Sequence, residues 1–219
     1  SLWMKPVDET GFIKKGTHSA GVQRQYSGTA GCVENSQIGV FLCYAGQGGH
    51  AFIDRALYLP KQWTDDRPRC EAAGIPDAVP FATKPQLARQ MLERAFEAGV
   101  PCRWVTADAV YGQDRRQRCW LESRYQPFLL AIPKNEPLWW QEPTFVRADK
   151  IVDSLTPQRW ETHSAGRGAK GERQYDWVRV YNSVRKNGNM AIICWFVAAE
   201  MKNGNGLTIS CMRAETRRI

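Results

Sequence analysis

The chain has 219 residues, 43% of them hydrophobic and 24% charged. That is ordinary globular composition for one compact domain, or one domain with an insertion, and it excludes disordered and collagen-like classes. Its longest apolar run, Met190–Ala199, has ten residues, against roughly 18 to 20 for a membrane span, and its first residues lack the charged-then-apolar order of a secretory signal. No membrane association is expected. Lys and Arg number 30 against 22 Asp and Glu, a net charge of +8. Residues 1–110 hold 12 basic and 11 acidic residues, whereas residues 111–219 hold 18 and 11. Such a field points to a polyanion, nucleic acid foremost; the competing reading is a basic surface with no ligand. Seven cysteines without a CxxC pair and three scattered histidines draw no zinc motif and suit a reducing cytoplasm. Cys43, Cys102 and Cys194 read as small buried hydrophobes.

In chain order, Val7–Phe12 reads as a first strand interrupted by Asp8 and Glu9. Residues 16–36, rich in Gly, Ser, Thr and Gln, read as an irregular loop or loose hairpin. Gln37–Tyr44 and His50–Leu59 form an antiparallel hairpin about the Gly46–Gly49 turn. Pro60–Pro80, with four prolines and Trp63 as its one large apolar residue, reads as a linker. A helix follows from Pro85, with Leu87, Met91, Leu92, Ala95 and Phe96 at helical spacing, stopped by Gly99 and Pro101. Cys102–Ala107 is the next strand, Gln113–Arg124 a second helix, and Phe128–Pro133 a strand parallel to the preceding one. The fold class is therefore α/β, a mixed sheet flanked by helices. From about Lys134 the texture becomes β-rich, with strands at Trp177–Tyr181 and Met190–Ala198. Residues 135–212 read as an insertion on a core of residues 1–134. Residues 213–219 read as a helix that has only begun, so a fragment of a longer chain is expected.

Two acids stand out. Asp108 ends the strand CRWVTAD, and ligands gather outside the carboxyl ends of parallel strands; capping of the next turn is the competing role. Asp8 is flanked by Val7 and Phe12, where a carboxylate is costly unless it is paired or holds a cation. Strand alternation predicts that Asp8 and Glu9 face opposite sides. In this strand order the first strand and the one after the first helix can lie adjacent. That would bring together two acids 100 residues apart, which repel unless Mg²⁺ or Mn²⁺ lies between them.

Basic and aromatic residues are the remaining candidates. Lys14, Lys15, His18, Arg24 and Gln25 follow the first acid and can contact phosphate, or serve as solvated loop charges. Arg115, Arg116 and Arg118 are expected on a polar outer helix face. Gly166–Gly171 resembles a phosphate-binding loop but lacks its Gly-Lys-Ser/Thr ending. As a flexible loop, it would let Arg167, Lys170 and Arg173 follow a DNA backbone. Trp139, Trp140 and Trp160 are expected chiefly in core packing rather than in base stacking.

The stretch VDETGFIKKGTHSAGVQRQYSGTAGCVENSQIGV, followed by FIDRALYLPKQW, WVTADAVYG and GAKGERQYDW, resembles the bacterial insertion-sequence transposases of the DDE superfamily from about residue 7 to about 200. The resemblance implies a ribonuclease-H-like core with a β-strand insertion, and Asp8 and Asp108 as catalytic ligands of two Mg²⁺ or Mn²⁺ ions. It further implies cleavage and strand transfer on double-stranded DNA at transposon ends and target, a dimer in the DNA complex, and a bacterial cytoplasmic, nucleoid-associated setting. The family's third acid, a glutamate in a Trp-x-x-Glu-Glu-x-Phe-like helix after the insertion, has no counterpart here. Glu200 and Glu215 lack that neighbourhood, so weak or absent strand transfer is expected from these residues alone. A non-catalytic DNA-binding remnant and another phosphodiesterase on the same scaffold are the alternatives.

Overall fold

The computed structural model describes residues 3–140, 144–168, 171–186, 189–201 and 207–212. Lys170 and the helix start expected at 213–219 lie outside them. The chain divides into two units, Ser1–Arg103 and Trp104–Ile219.

The first unit is registered on one long strand. The strands are β1 (Trp3–Ile13), β2 (Gln23–Ser27), β3 (Cys32–Gly46) and β4 (Gly49–Tyr58). All pair antiparallel with β3: β1 along Ser36–Ala45, β2 along Cys32–Ser36 and β4 along Ile38–Gly46. The Gly/Ser-rich stretch thus resolves into a loop followed by the β2–β3 hairpin. Ile38, Val40 and Leu42 alternate along β3 and are at most 2% exposed, as a half-buried strand requires. Packed on β3 and β4 is α3 (Lys84–Glu97), which buries Ala88, Met91, Leu92 and Ala95. Its start is set by a capping box: Thr83 Oγ1 accepts from Gln86 N, and Gln86 Oε1 accepts from Thr83 N.

The expected linker at 60–80 instead holds two short helices, α1 (Lys61–Thr64) and α2 (Arg67–Ala72). Prolines suggested a linker, but Pro68 sits in the first turn of α2, where its missing N–H costs nothing. Asp66 caps that helix by accepting from Arg69 N at 3.1 Å. Trp63 and Cys70 are wholly buried and form a small core with Val22, against which Ala73 and Ile75 pack.

The second unit opens as strand, helices, strand. In order these are β5 (Trp104–Ala107), α4 (Ala109–Gly112), α5 (Arg115–Ser123) and β6 (Phe128–Ile132). β5 and β6 are parallel, with Val105 opposite Phe128. The single turn α4 is the one that the sequence offers Asp108 to cap. A hairpin of β7 (Pro137–Trp140) and β8 (Thr144–Arg147) follows, then α6 (Ala148–Asp153), a 3₁₀ turn at Pro157–Arg159 and β9 (Glu161–Gly168). β10 (Gly171–Lys186), β11 (Asn189–Met201) and β12 (Leu207–Met212) complete a run of antiparallel strands, in which β12 pairs with β6.

Arg118 corrects the expectation of a polar outer face on α5. Arg115 and Arg116 are exposed, but Arg118 is only 5% exposed. It donates to the Gly112 carbonyl and to Glu136 Oε1, the latter at 2.6 Å. One guanidinium thus ties α5 to the end of α4 and to the entry of β7. Removing one partner of a buried pair leaves the other charge uncompensated. Arg118→Ala is expected to lower unfolding free energy by about 3–5 kcal/mol in urea titration. The double change with Glu136→Ala should cost less than Arg118→Ala alone; an equal or larger loss would contradict the pairing.

Candidate active site

Asp8 and Glu9 lie where β1 breaks register. Val7 faces Phe41 and Thr10 faces Gly39, so two residues of β1 oppose the single residue Val40. This two-for-one count is a β-bulge, which bends a strand and re-aims side chains, and such bulges concentrate beside active sites. The regular ladder on which that expected alternation of Asp8 and Glu9 rests is interrupted at this point. The side chain of Asp8 lies outside the described ones; that of Glu9 is described and is 14% exposed.

Glu9 belongs to a small polar cluster within the first unit. Its Oε1 meets Lys84 Nζ, at the first position of α3, at 2.5 Å. The Lys84 ammonium also lies 5.5 Å from the centre of the Tyr58 ring, within cation–π range. Glu9 Oε2 is buried without a hydrogen-bond partner among the described residues. The Tyr58 phenol is held above its usual pKa, first by burial and then by the Glu9 charge. At the other end of α3, Arg94 Nη2 meets Asp54 Oδ2 of β4 at 2.8 Å. Helix α3 is thus pinned at both ends, and its first residue holds the carboxylate next to Asp8.

Asp108 stands at the carboxyl end of β5, as the sequence predicts. It also caps α4, its Oδ1 accepting from Val110 N at 3.0 Å. The two roles are compatible, because the cap fixes the carboxylate's orientation at the strand end. Behind it Gly112 is pressed onto β6, where a Cβ would overlap the Ala131 carbonyl. Only glycine allows this approach, which sets the turn carrying Asp108.

The basic candidates separate into two groups. Lys14, Lys15 and His18 lie on the loop between β1 and β2, and Arg24 lies on β2; Lys15, His18 and Arg24 are exposed and Lys14 half-buried. Of the flexible loop expected at 165–173, the described residues end β9 at Gly168 and begin β10 at Gly171, with Glu172 opposite Arg167. Arg167 is exposed on β9 and Arg173 lies on β10. Sequence reasoning missed Lys84 and Arg69, the latter stacked on Trp63. Neither has a local motif, since their hydrogen-bond partners lie 47 to 75 residues away in the chain.

As metal donors, Asp8 and Asp108 supply hard carboxylate oxygens, the chemistry that suits Mg²⁺ or Mn²⁺. Glu9, which follows Asp8 in the chain, adds a buried carboxylate oxygen, Oε2, with no hydrogen-bond partner among the described residues. Among the described residues no group of three or more His, Cys, Asp or Glu gathers to hold an ion.

The Tyr58 environment has a pH signature. Because its folded pKa is raised, the native state keeps the phenolic proton to higher pH than the unfolded chain does. The resulting stability is present below about pH 10 and is lost as pH rises through the folded value. Tyr58→Phe should flatten the fall of stability seen in chemical denaturation as pH rises above about 10. Identical pH profiles for the two proteins would contradict the assigned environment.

No match to a curated protein was found for the chain. A family model, DDE superfamily endonuclease, matches residues 6–182 and so takes in both acids, the basic loop after Asp8 and the β9–β10 hairpin. On that match, the chain belongs to the DDE superfamily of endonucleases.

Proposed function

We propose that the chain is the catalytic domain of a DDE transposase, cutting DNA at insertion-sequence ends and joining it to a target with divalent metal. The observation that carries this reading is the family match across residues 6–182, within which Asp108 closes a parallel strand and Asp8 lies in a bulged one. On this reading residues 1–134 form a ribonuclease-H-like core and residues 135–212 an insertion. Asp8 and Asp108 are the first two metal-binding acids, and the third is assigned to no residue here.

Asp8 and Asp108 would hold two Mg²⁺ or Mn²⁺ ions. Such ions, when bound, activate an attacking oxygen and offset charge on the leaving oxygen of a phosphodiester. The chain's own part is orientation. The Val110 N–H holds Asp108 in one rotamer, and Lys84 neutralises Glu9 next to Asp8. Lys14, Lys15, His18 and Arg24, with Arg167, Lys170 and Arg173 of the second unit, supply phosphate contacts that position double-stranded DNA without reading its sequence. Phosphoryl transfer of this kind draws most of its rate from positioning and charge stabilisation. A dimer on DNA, in a bacterial cytoplasm near the nucleoid, completes the proposal. Among the described residues no helix is long and apolar enough to cross a membrane.

The test is nicking of DNA that carries the ends of the encoding element, with Mn²⁺. Asp8→Asn and Asp108→Asn should each lower nicking by about 10³-fold, while the Kd for the same DNA changes less than about threefold. Cutting that survives both changes would overturn the metal assignment. DNA retention with no nicking by the unaltered chain would favour a binding remnant.

A further inference from the structure

The loop that follows Asp8 is held from two sides by side-chain donors, of which sequence reasoning singled out neither Asn35, Gln37 nor Arg69. On one side, Asn35 of β3 donates its Nδ2 to the carbonyls of Lys14 at 2.7 Å and Gly16 at 2.9 Å. Gln37 donates to the Ala20 carbonyl at 2.8 Å, and Gln25 to that of Gly21 at 3.3 Å. On the other side, Arg69 of α2 donates Nη2 to the carbonyls of Thr17 at 3.3 Å and Val22 at 3.2 Å. The buried Trp63 donates its indole N–H to the same Val22 oxygen at 2.9 Å. The Arg69 guanidinium lies 3.9 Å from the centre of the Trp63 ring. Gly21 adopts φ +74°, and a Cβ there would lie 2.8 Å from the Tyr58 carbonyl, so the loop's exit is also fixed by β4.

These bonds engage the carbonyl oxygens of Lys14, Gly16, Thr17, Ala20, Gly21 and Val22. The negative ends of those peptide dipoles are therefore taken up by the protein's own donors. Lys15 and His18 are exposed on the same loop and Lys14 is half-buried. An anion meeting this loop meets cations whose backbone is already ordered, and ordering cost is what usually erodes affinity at a flexible loop. Arginine suits the task because its planar fork can stack on an aromatic ring and bond two acceptors at once, which a lysine ammonium on a flexible stem does less well.

We propose that Arg69 is a positioning residue for DNA. Stacked on Trp63 and bonded to the Thr17 and Val22 carbonyls, it fixes the 14–22 loop so that Lys14, Lys15 and His18 meet a phosphate backbone. The inference rests on the reading of that loop as a DNA contact, and the experiment separates the two. Binding of a fluorescent 30-base-pair duplex is measured by anisotropy over a series of KCl concentrations, with hydrogen exchange on the free protein.

Lys15→Ala tests the underlying reading, and the slope of log K against log salt should fall by about one. An unchanged slope and affinity would sink that reading. Arg69→Lys keeps the charge and loses the fork; Kd should rise about 5–10-fold at every salt concentration, with faster exchange confined to amides of residues 14–22. Arg69→Gln should weaken binding with the slope unchanged. Asn35→Ala removes the anchor on the opposite side without touching Trp63, and the same rise in Kd is expected. Should Lys15→Ala weaken binding while Arg69→Lys and Asn35→Ala leave Kd within twofold, the positioning role is wrong and the loop reading stands. A slope reduced by about one in Arg69→Gln would make Arg69 a direct phosphate contact and overturn the proposal.

Discussion

Backbone pairing along both edges of β3 is the constraint on which the first unit depends. A strand of 15 residues, Cys32–Gly46, gives its hydrogen bonds to β1 on one side and to β2 and then β4 on the other. Because side chains alternate along it, a slip of one residue would turn Ile38, Val40 and Leu42 away from α3. The same strand places Asn35 and Gln37 under the loop that follows β1, and it sets the one-residue mismatch that creates the bulge at Asp8 and Glu9. Register, core and candidate site are therefore consequences of one ladder.

The acids are held by different means. Glu9, next to Asp8, is tied through its charge to the first residue of a helix whose own start is fixed by a capping box. Asp108 is oriented by a backbone N–H in the turn it caps, and that turn can approach β6 only because residue 112 is glycine. A carboxylate that is to hold a cation must not rotate away when the cation leaves, and the Val110 N–H limits such rotation at Asp108. The N-cap role of Asp108, which sequence reasoning set against a catalytic one, is compatible with it, because the cap orients the carboxylate at the strand end.

Much of the architecture was legible because it is written in local signals. The β-rich apolar run Gln37–Tyr44 marked the second half of β3, the glycine turn marked the β3–β4 hairpin, and helical spacing after Pro85 marked α3. Asp108 could be placed at a strand end because WVTAD is followed by a break in pattern. What stayed hidden depends on distant partners. The bulge at Asp8 and Glu9 is a property of β1 against β3, so it could not be read from β1 alone. Arg118 looked like a surface charge because its acceptor, Glu136, lies 18 residues further on. The helices at 61–72 were masked by prolines, one of which occupies the helix position that tolerates it. Arg69 is one of several arginines until Trp63 and the Val22 carbonyl are placed beside it. Gly166–Gly171 looked like a loop because it is rich in glycine, yet Gly166–Gly168 belong to β9 and Gly171 begins β10.

The central claim is that Asp8 and Asp108 hold divalent metal together. The most direct measurement replaces Mg²⁺ with Fe²⁺ and adds ascorbate and peroxide, so that hydroxyl radicals formed at the bound ion cut the nearest backbone. The account predicts two cut sites, one around residue 8 and one around residue 108, both suppressed by excess Mg²⁺ and both lost in Asp8→Asn. Cleavage confined to one of the two segments, or undiminished by that substitution, would contradict it.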